Sequence, residues 1–74
     1  MQRIYRFRLV LTTEQCLGYY QGQIQYVLVQ AESGERVQLR ADHFRAFFTH
    51  NGLSGRFELT TTQEGKFVAL KKLN

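Results

Sequence analysis

Few side chains in this 74-residue chain could do chemistry, and their spacing argues against most of it. His43 and His50 stand seven residues apart, two helical turns. On one helix face their side chains would lie ~10 Å apart along the axis, too far to grip one metal ion. His50 suits a helix C-terminus, where the dipole favours a cation. Cys16 is the single cysteine and has no base beside it, so a buried, inert thiol is expected. A lone cysteine also forms no intramolecular disulfide and no Cys-rich zinc site. Asp42 reads as a helix cap rather than a general acid. The "GLSG" segment lacks the strand-then-helix context of a nucleophile elbow, and "GLSGRF" is too short for a phosphate loop. Its glycines let the chain turn from helix into strand. No titratable pair converges in sequence, so the reading is a non-enzymatic protein with no catalytic residue, metal or cofactor.

The arginines are the other chemical resource. Ten Lys and Arg, seven of them Arg, oppose six acids for a formal charge of +4. That is a mild preference for polyanions. Arg6, Arg8, Arg36, Arg40 and Arg56 all fall at outward positions of expected strands. If those strands are neighbours, their guanidinium groups form a band on one sheet face. Such a band is either a solvated rim, partly paired with Glu58 and Glu35, or a surface for RNA, DNA or another partner. The choice of Arg over Lys favours the second, because Arg binds phosphate and carboxylate in a fork and stacks on aromatics. Tyr19 and Tyr20, beside "QGQ", are suited to stacking a base or anchoring a partner, or to sealing a helix onto the sheet. The RNP signature of an RRM is absent. The competing reading is a protein-interaction or self-associating module, a homodimer included. It rests on the strand "IQYVLVQ", apolar on both faces, or on Tyr19 and Tyr20.

The elements that must carry these residues are legible in outline. "YRFRL" alternates, with Tyr5, Phe7, Leu9 and Leu11 on one side and Arg6 and Arg8 on the other. Thr12 and Gln15 fit a capping box, and the helix they start runs to Gly22, weakened by Gly18. "QIQYVLVQA" is β-branched-rich, and its Tyr26–Val29 run predicts burial on both faces. "ESGE" turns it back into "RVQLR". Asp42 caps a second short helix that ends at Asn51-Gly52, with Phe44, Phe47 and Phe48 on one stripe facing the core. "GRFELTT" and "KFVALKKL" flank a "QEG" turn, and Phe57 points inward.

The order is β-α-β-β-α-β-β, an α+β single domain over residues 1–74. Its five-stranded, mostly antiparallel sheet carries two short helices; the alternative is a partly closed SH3-like or Sm-like barrel. A domain of this size buries only ~60% of its unfolded surface, too little for a deep active site. The N-terminus has no signal-peptide run and no long apolar run occurs, which predicts a reduced, cytoplasmic protein with no membrane partner.

The strings "YYQG", "GERVQLRADHFRAFFTHNGLSGRFEL" and "KFVALKKL" resemble domain-of-unknown-function family 2835, a group of short proteobacterial proteins. The resemblance covers essentially the whole chain. It implies a stand-alone cytoplasmic protein of about this length and carries over no activity, cofactor or site residue.

Overall fold

The computed structural model describes all 74 residues. In β1, Gln2–Leu11, the alternation buries Phe7 and Leu11 and half-buries Tyr5 and Leu9 on the same face. Thr12 ends the strand and caps α1, Thr13–Tyr20. Its Oγ1 accepts from the Gln15 N–H at 3.1 Å, and Gln15 Oε1 accepts from the Thr12 N–H at 2.9 Å. Two otherwise orphaned helix donors are thereby satisfied reciprocally. Thr12→Ala is expected to cost about 1 kcal/mol, whereas Thr12→Ser, which keeps the capping hydroxyl, should cost nothing. A urea titration would read this as a lower midpoint with an unchanged slope.

β2, Tyr26–Gln30, and β3, Arg36–Arg40, form an antiparallel hairpin from Tyr26 opposite Arg40 to Gln30 opposite Arg36. Its turn uses Gly34 at φ 99°, backbone that L side chains rarely adopt. Burial on both faces of β2 is not observed. Val27 and Val29 are buried, whereas Tyr26 is 48% and Leu28 62% exposed. The hairpin has the core beneath one face and no layer above the other, so the strand alternates despite its apolar run.

The second helix is a 3-10 helix, Ala41–Phe47, that stops before Asn51-Gly52. Asp42 does not cap it: Arg40 holds that position, and no side-chain capping bond is made. The reason lies in spacing. Ala41, Phe44 and Phe47 recur every three residues and line up in a 3-10 helix, where i and i+3 eclipse. Ala41 and Phe44 are buried and Phe47 is half-buried. Phe48 leaves the helix and half-buries separately, its ring stacked on Tyr19.

β4, Leu53–Thr62, and β5, Phe67–Lys72, complete the chain. The five strands do not make one sheet. They divide into a three-stranded antiparallel sheet, β1-β4-β5, and the β2-β3 hairpin, with no closed barrel. The Glu32 N–H, at the hairpin turn, donates to the Arg6 carbonyl at 2.7 Å and ties the hairpin to β1. The two layers enclose one core in which Phe7, Phe44, Phe57 and Leu59 are fully buried. The fold is a small α+β domain.

Candidate binding surface

The outer face of the three-stranded sheet brings together three of the expected arginines. Strand register sets Arg6 opposite Glu58 and Arg8 opposite Arg56. The face is not a bare cationic band. Arg6 Nε lies 3.0 Å from Glu58 Oε2, and Lys71 Nζ lies 3.5 Å from Glu58 Oε1. Arg56 makes a two-pronged bond to Glu32, Nε to Oε2 at 2.7 Å and Nη2 to Oε1 at 2.8 Å. Glu35, the other expected partner, accepts from the Ser33 hydroxyl instead. Two carboxylates therefore hold three cations, and Arg8 alone stays without an acidic partner.

The Arg56 fork holds the Glu32 carboxyl below its ordinary range, helped by the charges of Arg56, Arg6 and Arg8. A carboxyl lowered in the folded state stabilises it fully above its unfolded pKa of about 4.3, and that contribution fades as pH falls through the folded value. Glu32→Gln should therefore flatten the acid limb of a stability-versus-pH curve. High salt should shrink the difference between the two proteins, because the pair is solvent-accessible.

Arg36 and Arg40 do not join that face. They belong to β3, in the other sheet, and lie on the solvent side of the hairpin. There the register sets Arg40 beside Tyr26, with the guanidinium carbon 5.8 Å from the ring centroid. Arg40 Nη2 reaches Asp42 Oδ2 at 3.3 Å, and Arg45 Nε lies 3.8 Å from Asp42 Oδ1. Arg45 then covers Tyr20, its guanidinium carbon 5.4 Å from that ring, while Nη2 donates to the Tyr20 carbonyl at 3.3 Å. The contacts form one chain, Tyr26–Arg40–Asp42–Arg45–Tyr20, across the hairpin, the 3-10 helix and the end of α1. Tyr20 is 65% exposed. Leu28 continues the same hairpin face next to Tyr26, and Arg36 makes no ion pair. Arg40 and Arg45 against one aspartate give this strip a positive excess, with Arg36 at the far end of β3.

Tyr19 does not belong to the strip. It is half-buried against Phe48, ring centroids 6.3 Å apart and nearly parallel, and it seals α1 onto the chain that follows the 3-10 helix. Tyr26 and Arg45 are the members that sequence reasoning missed. A signal for Tyr26 existed: pairing back from the Gly34 turn sets Tyr26 and Leu28 opposite Arg40 and Gln38, a face too polar to be core. Arg45 meets Tyr20 only through tertiary packing.

Model and chain correspond over residues 3–73 when the sequence is compared with the family described as protein of unknown function (DUF2835). The chain belongs to the DUF2835 family. No curated protein and no solved structure matches it. In this DUF2835 protein the chemical side chains away from the strip are occupied by structure. Cys16 lies at the floor of a shallow apolar groove between α1 and Phe48, and burial pushes its thiol up, away from the reactive thiolate. His43 stacks on Phe67 with ring centroids 3.7 Å apart. No three His, Cys, Asp or Glu side chains group as metal ligands. No helix is long and apolar enough to cross a membrane.

Proposed function

We propose that this protein is a small non-enzymatic module that binds single-stranded nucleic acid, with Tyr20 and Tyr26 as stacking platforms and Arg36, Arg40 and Arg45 on phosphates. The observation that carries the reading is the pairing of two exposed tyrosines, each with an arginine against its ring, along one continuous strip. A base offers a π-face whatever its identity, so such platforms bind strands with little sequence preference. Guanidinium groups beside the rings suit the phosphates between successive bases. Asp42 holds Arg40 and Arg45 at a fixed spacing and lowers the ordering cost on binding. The Arg6–Arg8–Arg56 face contributes less, since no aromatic ring stands against its arginines.

Fluorescence anisotropy with a labelled single-stranded oligonucleotide tests this residue by residue. Tyr26→Ala or Tyr20→Ala should weaken binding by about fivefold or more, the loss of one stacked base at ~1–3 kcal/mol. Arg36→Gln should lower the salt slope by about one phosphate contact. Arg6→Gln should leave affinity nearly unchanged. If Arg6→Gln weakened binding as much as Tyr26→Ala, the interface would lie on the sheet face instead.

A further inference from the structure

The division of the sheet leaves four strand edges, and two of them, on β5 and β3, border one cleft. β5 is the last strand of β1-β4-β5, and β3 has only β2 beside it. Between them lies a cleft of about 220 Å³. Leu59 of β4, Val37 and Leu39 of β3, and Phe67 of β5 line it, with His43 stacked on Phe67 at its side. On the opposite side the two sheets are already tied, through Glu32 and Arg6. The two sheets thus stand apart between β3 and β5, and this gap has an apolar floor.

We propose that this gap is a docking site for an extended peptide segment with acidic residues flanking an apolar one. The main chain would pair with an open edge, as in strand addition, and the apolar side chain would enter the cleft. The charge pattern selects the occupant. Lys66, Lys71 and Lys72 bracket the apolar run Phe67–Leu70, and only Lys71 has an acidic partner, Glu58. The remaining lysine charge attracts acids that flank the paired segment. The same lysines disfavour a second copy of this chain, because edge-to-edge pairing of β5 would gather both sets; lysine on an edge strand is a common block to such pairing. Phe67 and Val68 remain 40% and 43% exposed, apolar surface that a docked segment would cover. The cleft shares Arg40 with the tyrosine–arginine strip, so this proposal is read on Phe67–Lys72 of β5, which the strip does not include.

The test uses the 74-residue protein and four synthetic probes: a nonapeptide alternating valine and glutamate, its lysine counterpart, and the glutamate peptide N-methylated on alternate residues in each of the two phases. Amide NMR titration is the readout. The glutamate peptide should shift the amides of Arg36–Arg40 and Phe67–Lys72, and bind at least about tenfold tighter than the lysine peptide. One phase of N-methylation should abolish binding and the other should leave it, since only alternate amides face the protein edge. Three results would overturn the proposal: no shifts at millimolar peptide, equal binding of the two charge types, or binding indifferent to both methylation phases.

Discussion

Phe57→Ala should leave this protein largely unfolded at 37 °C. The Phe57 ring is the hub of the core: its centroid lies 5.8 Å from Phe7, 5.7 Å from Phe44 and 5.4 Å from Phe47. Those three come from β1 and the 3-10 helix, so the ring touches both sheet and helix layers, and only Phe7, which also packs on Phe44, shares that role. Removing a buried phenylalanine side chain costs about 3–5 kcal/mol through lost transfer energy and the cavity left behind. A domain of this length has a total stability of about 4–11 kcal/mol at usual per-residue values. The loss is therefore comparable with the whole. Urea titration followed by near-ultraviolet circular dichroism would show little or no folded baseline, with Phe57→Leu intermediate. Leu28→Ala, on the open face of the hairpin, should change stability by no more than about 0.5 kcal/mol. A Phe57→Ala protein within about 1 kcal/mol of the parent would contradict the placement of this ring at the centre.

Gly52→Ala should be the most damaging of the glycine substitutions. Gly52 has φ 93°, and a Cβ there would collide with the Leu11 carbonyl oxygen and approach Thr12 C at 3.1 Å and Thr13 N at 3.2 Å. These are main-chain atoms at the junction of β1 and α1, which cannot step aside as a flexible side chain can. Left-handed backbone costs a non-glycine residue about 1–2 kcal/mol, and overpacking adds about 1–3. Gly34 and Gly65 also have positive φ, yet nothing lies within 4 Å of a Cβ on either. Gly34→Ala should therefore pay only the backbone cost, about 1–2 kcal/mol. The comparison separates conformational strain from steric collision. Because the collision sits at the root of α1, Gly52→Ala should also displace Tyr20 and weaken oligonucleotide binding beyond what its stability loss explains. Equal effects at Gly52 and Gly34 would mean that the close approach to Leu11 is not maintained in solution.

Local structure was legible in this sequence where one short stretch decides it. The period-two alternation of β1, the Thr12–Gln15 capping box and the Gly34 turn all depend on residues within a few positions of each other. The partition into two sheets was not legible, because β1 pairs with β4 across about fifty residues, and nothing in either strand names its neighbour. That partition also split the expected arginine band. Arg6, Arg8 and Arg56 share a face because β1 and β4 pair, while Arg36 and Arg40 went with the hairpin. The Glu32 partner of Arg56 was hidden for a related reason: it comes from a turn whose position against β1 is fixed only by packing. Three phenylalanines at i, i+3 and i+4 give an α-helical spacing, yet the helix is 3-10. The run that the core selected was Ala41, Phe44 and Phe47. The strip of tyrosines and arginines joins three elements, so only Arg36, Arg40 and Tyr20 could be named from the chain.

The most direct test of the nucleic-acid reading is anisotropy of labelled single-stranded RNA, single-stranded DNA and duplex DNA across a salt series with the unaltered protein. Binding to the single strands should be micromolar or tighter, binding to the duplex weaker, and the fall with salt log-linear with a slope corresponding to about three phosphate contacts. The preference for single strands follows from the tyrosine rings, which can stack only on bases that are not already stacked in a helix. No binding to any form at low salt, where electrostatic attraction is strongest, would contradict it and reduce the strip to a solvated surface.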